Sequence, residues 1–246
     1  MKEFIYGRNP VHETLLANRR QIFQLQIAEG VREEEHLNAI LALANSKNIR
    51  IRRVPRQKLD SLGDNPQGIA LEVSDFPYSD LGDVIEKGKR SGVPLFVLIL
   101  DTLQDPQNLG TLIRSAESVG VQGVIIPKHR AAAITPAVVR TSAGATEHML
   151  VVQTNLSQAI SELKDINCWV VGLDESQESL PPSQVDLRGS LAVVVGSEGE
   201  GLHANVRKHC DFLMRLPMQG NIASLNASVA GSIALYLAFM ARNNQS

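Results

Sequence analysis

Cysteine is scarce in this chain: there are two in 246 residues, Cys168 and Cys210, and they form no C-x-x-C pair. That excludes a disulfide-stapled secreted scaffold and points to a reducing, cytoplasmic setting. Long apolar runs are missing as well. No stretch approaches the roughly 20 apolar residues of a membrane span, and the opening MKEFIYGRNP has no apolar core after its charge, so a soluble, untargeted chain with no membrane partner is expected. Nor does one sign of charge dominate. With 24 Lys+Arg against 26 Asp+Glu the formal charge is -2, so a nucleic-acid partner would have to be held by a local patch. There is no G-x-x-x-x-G-K-[ST], no H-E-x-x-H, no G-x-S-x-G and no closely spaced Cys/His set. P-loop, zinc-protease and α/β-hydrolase chemistry are thereby disfavoured.

What is present is 43% apolar content in a chain long enough for one large or two small domains. Residues 1–75 read as a small α/β unit: a helical pattern at Val11, Leu15 and Leu16, the alternating run IFQLQIA, a second helix carrying Leu37, Ile40, Leu41, Leu43 and Ala44, then the strand-like IRIRRV and IALEV. Residues 76–93, rich in Gly, Pro, Ser and charge with only a weak helical stretch inside, read as a linker. From 94 to 246 strand and helix patterns alternate: LFVLIL, GVIIP, a helical region through Val138 and Val139, CWVVGL, LAVVVG, FLMRL and a long apolar helix over about 225–241. Continuous apolar strands alternating with helices predict a mostly parallel sheet covered on both faces, an α/β fold.

Charge is uneven at short range. Lys47, Arg50, Arg52, Arg53, Arg56 and Lys58 fall within a dozen residues that contain no acid. On an alternating strand Arg50 and Arg52 share one face and Ile49 and Ile51 the other. The run is either a solvated strand edge or a phosphate-contacting patch.

Three segments could carry chemistry. In DTLQDPQNLGTLIRSAESVG, Asp105 is placed to cap a helix, Pro106 suits its first position and Gly120 ends it. Leu109, Leu112, Ile113, Ala116 and Val119 form its buried stripe, which puts Gly110 and Arg114 on the opposite face and Asn108 in the first turn. In GSEGEG, residues 196–201, the glycine spacing is the reverse of a dinucleotide loop, and Glu198 and Glu200 would repel a pyrophosphate. A neutral or cationic ligand fits better, unless the glycines serve only a tight turn. In LPMQGNIASLNASVAGSIALYLAFM, Ser224 is placed to cap the last helix and Asn226 falls in its first turn. The small residues Ala227, Ala230, Gly231, Ala234 and Ala238 suit either core packing or a dimer seam.

Taken together and in this order, DPQNLGTLIRSA, VVVGSEGEGL and LPMQGNIASLNASVA closely resemble the three motifs of the SpoU/TrmH-type RNA 2′-O-ribose methyltransferases of the SPOUT superfamily, over about 94–243. The first half is similar to the ribosomal-protein-like accessory domain of that family, through GRNPV at 7–11 and NPQGIALEV at 65–73. That arrangement resembles the bacterial 23S rRNA guanosine-2′-O-methyltransferases, with one departure: Pro66 stands where relatives often carry His.

The resemblance implies a SPOUT catalytic domain with a trefoil knot, a homodimer, RNA (23S rRNA) as substrate, S-adenosylmethionine as methyl donor, and no metal. Cofactor contacts would come from Thr141, Ser142, Gly144, Gly196, Leu216 and Leu225, with Arg8 and the 47–58 basic run on the RNA. The catalytic set would be Arg114, Asn108, Glu198, Ser224 and Asn226. Asn108 and Asn226 would position ribose or backbone groups, Glu198 would organise its loop and Arg114, and Ser224 would hold the loop or hydroxyl. The family assigns proton removal to the arginine equivalent to Arg114. A guanidinium with a pKa above about 12 has almost no neutral form at pH 7, which favours a phosphate-holding role. A tRNA 2′-O-methyltransferase, or a non-catalytic RNA-binding or ribosome-assembly protein on the same fold, are the alternatives.

Overall fold

Alternating apolar side chains in the first quarter of the chain fold into a small mixed sheet. A computed structural model describes residues 2–32, 34–221 and 224–243. In chain order come β1 (Lys2–Tyr6), α1 (Arg8–Ala17), β2 (Ile22–Ala28), α2 (Glu35–Ser46), β3 (Ile51–Val54), α3 (Arg56–Asp60) and β4 (Ile69–Ser74). The sheet order is β1-β4-β2-β3, antiparallel except for the β2–β3 pair. Its register aligns Ile5, Leu71, Leu25 and Ile51 in one row across the four strands. Three of the four are completely buried, so a one-residue slip would turn that row to the other face. Tyr6, Ala28, Val54, Ala70 and Leu59 of α3 make a second cluster.

The weak helical stretch inside the segment expected to be a linker is a regular helix of about three turns. Residues 81–91 form α4 (Leu81–Ser91), opened by a capping box between Asp80 and Asp83 and closed by Gly92 in the left-handed region. Leu81 and Val84 enter the core of the second unit. Three apolar side chains in a charged background, Leu81, Val84 and Ile85, suffice because they fall on one face.

Then come β5 (Phe96–Leu100), α5 (Pro106–Ser118), β6 (Gly123–Pro127), α6 (Pro136–Thr141), a 3-10 turn (Ala145–His148), β7 (Leu150–Thr154), α7 (Leu156–Asp165), β8 (Trp169–Leu173), β9 (Leu191–Val195), α8 (Ala204–His209), β10 (Phe212–Met214) and α9 (Ala227–Asn243). Six strands build one sheet in the order β10-β8-β9-β5-β6-β7, and every pair is parallel. The central strands FVLIL and LAVVV are buried at all positions, as strands covered on both faces must be.

The chain divides into two compact units, and the first is discontinuous: it comprises Met1–Pro77 and Ala133–His148, the second Tyr78–Ala132 and Met149–Ser246. By their contacts, residues 133–148, which lie inside the stretch 94–246 expected to form the catalytic domain, group with the first unit. The reason is a buried ion pair. Arg20 gives two hydrogen bonds to Glu147, Nε to Oε2 at 3.0 Å and Nη2 to Oε1 at 2.8 Å, and both side chains are fully buried. Its Nη1 reaches Glu3 at 2.8 Å and the Ser74 carbonyl at 3.2 Å. Residues 133–148 therefore complete the first unit.

One further expectation shifts. Gly110 lies buried rather than on the open face with exposed Arg114, because α9 packs against α5: Ser115 and Ser232 hydroxyls meet at 2.8 Å, and a Cβ on Gly231 would come within 2.5 Å of Leu112. The small residues Ala227, Gly231, Ala234 and Ala238 are thus core residues. The opposite side of α9 carries an exposed apolar stripe, Val229, Ile233, Tyr236 and Met240.

Candidate active site

The C-terminal ends of parallel strands converge on one edge of a sheet, and in the second unit the three motif segments start there. After β5, Asp105 caps α5, its Oδ1 accepting from the Gln107 N–H at 2.9 Å, with Pro106 in the first helical position. This places Asn108 in the first turn, largely buried. After β9 the loop 196–201 closes on itself through reciprocal backbone bonds between Ser197 and Gly201, both 3.1 Å. Gly199 and Gly201 take left-handed φ of 85° and 66°, and a side chain on Gly196 would collide with the Gly201 backbone. The glycines make the turn, and the turn presents Glu198.

Asn226 joins the three segments. It precedes α9, and its Oδ1 accepts from the backbone N–H groups of Ser228 at 2.9 Å and Val229 at 3.2 Å. It is the cap that Ser224 was expected to supply; Ser224 sits two residues too early and is exposed. The Asn226 Nδ2 donates to Asn108 Oδ1 at 3.1 Å and to Glu198 Oε1 through a short bond. With Asn108 Oδ1 accepting, its Nδ2 is left to donate outward. Glu198 thus organises Asn226 and not Arg114. Among the described residues Arg114 has no hydrogen bond or ion pair, so its guanidinium is open to an anion.

Beside this junction lies a cavity of about 520 Å³. Gly196, Leu216 and Leu225 line it, with Glu198, Ser224 and Asn226. Its walls also carry Asp174, Glu175 and Glu200 against a single cation, Arg215, a balance that suits a positively charged ligand. Burial pushes the Asp174 carboxyl up, but hydrogen bonds from Ser176 and Ser179 and the nearby Arg207 outweigh it and hold it below the ordinary carboxylate value. Arg207 lies 3.4 Å from Asp174, 3.2 Å from Glu178 and 2.9 Å from the Ser176 hydroxyl, which fixes the 174–179 wall. Sequence reasoning missed Asp174, Glu175 and Arg215; the signal available was their position just past β8 and β10. No group of three or more His, Cys, Asp or Glu suited to a metal occurs among the described residues.

Thr141, Ser142 and Gly144 are not brought to this cavity. They belong to the first unit, where the buried Ser142 hydroxyl donates to the Val139 carbonyl at 3.0 Å. Gly144, at φ 93°, has no room for a Cβ, which would lie 2.6 Å from Glu13. At Gly144 the missing side chain serves close packing against α1.

Of the basic run, Arg50, Arg52, Arg53, Arg56 and Lys58 are exposed and Lys47 is half-buried. Both Arg52 and Arg53 face solvent, against strict alternation, because β3 is a four-residue edge strand paired only with β2. Arg8 is engaged internally: its side chain pairs with Glu34 and its N–H donates to Gln67 at 2.7 Å. The hydrogen bond and charge of Arg8 hold the Glu34 carboxyl below its ordinary value.

Comparison with known proteins gives a consistent picture. Residues 95–236 match the model of the SpoU rRNA methylase family, and residues 4–79 match RNA 2′-O ribose methyltransferase substrate binding. A protein of Staphylococcus saprophyticus described as a putative TrmH family tRNA/rRNA methyltransferase is 40% identical over 97% of this chain and 96% of its own. An RNA 2′-O ribose methyltransferase crystal structure, 26% identical, superposes with a TM-score of 0.79 over 98% of this chain and 88% of that one. The SpoU methyltransferase AviRb of Streptomyces viridochromogenes, solved with AdoMet, is 22% identical with a TM-score of 0.80, covering 97% and 89% of the two chains, and shares the fold.

Proposed function

The chain belongs to the SpoU rRNA methylase family, and from that membership we propose that it methylates the ribose 2′-hydroxyl of a guanosine in 23S rRNA, with S-adenosylmethionine as donor. Family membership makes it a methyltransferase acting on RNA. The observation that carries the methyl-transfer reading is the junction of Asn108, Glu198 and Asn226 beside an acidic cavity; the choice of a 23S rRNA guanosine rests on the resemblance of the first half to the accessory domain of that enzyme class.

The residues present fit the cofactor. About 520 Å³ falls within the usual range of small-molecule sites, and the surplus of carboxylates is compatible with a cationic ligand while disfavouring a phosphorylated one. Gly196, Leu216 and Leu225 would hold it. When bound, S-adenosylmethionine supplies an electrophilic methyl group on positively charged sulfur. The Asn108 Nδ2 donates to the ribose, with its orientation held by Asn226. Arg114 takes the phosphate beside the target nucleotide and stabilises charge developing on the 2′-oxygen. Ser224 offers a hydroxyl to the same region. The substrate-binding unit, with the exposed 47–58 run, holds RNA through its phosphates.

The name of the 40%-identical relative gives tRNA beside rRNA, which supplies tRNA as a second reading. The exposed stripe of α9, at 4-3-4 spacing, supports a homodimer, and two unpaired thiols suit a reducing cytoplasm. The SPOUT trefoil knot is part of the same reading. The deciding experiment is transfer of labelled methyl to unmodified 23S rRNA, 16S rRNA and tRNA in parallel, with 2′-O-methylation mapped in the product. Labelling of 23S rRNA that falls about 100-fold or more in Arg114→Ala is expected; labelling confined to tRNA would replace the substrate, and an active Arg114→Ala would remove the central assignment.

A further inference from the structure

Several cations of the second unit are already engaged. Lys89, Lys164, Arg188 and Arg207 each sit against a carboxylate, and Arg242 donates to the carbonyl of Pro94. Just past β6 the pattern changes. Lys128, His129 and Arg130 are three consecutive exposed basic side chains, none with a hydrogen bond or ion pair among the described residues. From 118 to 146 the chain carries no Asp or Glu, although it has 26 in 246 residues.

Their position in the fold is specific. β6 lies next to β5 and runs parallel to it, so the 128–130 loop emerges at the same edge as the segment leading to Asn108. The two loops are tied together, the Ala132 N–H donating to the Leu103 carbonyl at 2.8 Å. Arg130 holds a φ of 60°, the left-handed region in which a long side chain is disfavoured and glycine is at ease. Folding alone would be served better by glycine there.

We propose that Lys128, His129 and Arg130 form a phosphate-binding site of the catalytic unit that holds the RNA backbone flanking the target nucleotide. The site rests on the reading of this protein as an RNA methyltransferase. It adds to the basic run of the first unit a second, separate set of phosphate contacts. Bound phosphates displace counterions, so each contact contributes to the salt dependence of RNA binding.

The test compares wild type, Lys128→Ala/Arg130→Gly and the charge-preserving Lys128→Arg/Arg130→Lys, each binding unmodified 23S rRNA across a salt series. Cofactor binding and melting temperature are followed alongside. In Lys128→Ala/Arg130→Gly, RNA affinity is expected to fall about tenfold and the log–log salt slope to drop by about 1 to 2. Its melting temperature should be no lower than wild type, since glycine relieves the backbone at 130, and cofactor affinity should be unchanged. The charge-preserving variant should keep the wild-type slope. A neutralised variant with wild-type affinity and slope would overturn the site, as would loss of RNA binding matched by a lower melting temperature or by the charge-preserving variant. RNA binding without methyl transfer by wild type would overturn the proposed function and leave the slope comparison decisive for the site; no RNA binding at all would overturn both.

Discussion

Asn226 does two jobs that separate by substitution. Its Oδ1 caps α9 and its Nδ2 joins Asn108 to Glu198. Asn226→Ala should lose both, costing about 1 kcal/mol in urea unfolding along with methyl transfer. Asn226→Asp keeps an equally good cap but replaces the donor with a carboxylate facing Glu198. Its stability should stay within about 0.5 kcal/mol of wild type at low denaturant while transfer falls at least tenfold; equal activity would show that the bridge is dispensable. The thiols give a second prediction. Burial pushes both Cys168 and Cys210 up to about 12. The unfolded chain loses these protons above about pH 8.5, whereas the folded chain keeps them. Stability is therefore intact below that pH and declines as pH rises toward 12. Cys168→Ala/Cys210→Ala melts across pH 8–11 should show a flatter alkaline fall. At this scale the motif side chains were legible in the sequence because their chemistry is distinctive. Their partners were not: that Glu198 meets Asn226 and not Arg114 depends on three loops folding together.

Elements with unbroken patterns were read correctly. The apolar runs of β5, β6, β8 and β9 fall where expected, since a strand buried on both faces leaves a continuous hydrophobic trace. Elements with sparse patterns were not: α4 was read as a weak helical stretch within a linker, while β7 and α7 were not separated from the region before them. The 3-10 turn Ala145–His148 is the least legible, because its role depends on Glu147 meeting Arg20 across 127 positions. Glu147→Gln should leave the Arg20 guanidinium buried with only Glu3 to balance it, and cost about 3–5 kcal/mol in unfolding measurements on the full chain. A loss under about 1 kcal/mol would mean that the pair is not what holds residues 133–148 in the first unit. The loop 174–179 makes a milder prediction. Arg207→Ala should raise the KM for the cofactor several-fold with kcat little changed, because it releases a cavity wall and not the junction at Asn226.

For the molecule as a whole, composition and motif order were enough to give the fold class and the family, while chain routing was not. Each unit shows the burial pattern of an independent core, yet neither is a single stretch of chain. Self-association also belongs to this scale. In the proposed homodimer, Ile233→Asp, at a position 41% exposed on the α9 stripe, should halve the mass measured by light scattering while leaving the monomer folded. An unchanged dimer would place the interface elsewhere.

The routing has a consequence for biosynthesis. The first part of the first unit ends at Pro77, but its last piece ends at His148, 71 residues later, with Glu147 one position before that end. At about 5–20 residues per second, a ribosome takes about 4–14 s to make that interval. During this time Arg20 awaits its carboxylate, while β5, α5 and β6 of the other unit are already made. The first unit therefore reaches its final contacts only after residue 148 is made, and translation speed between codons 77 and 148 sets how long its nascent form stays incomplete.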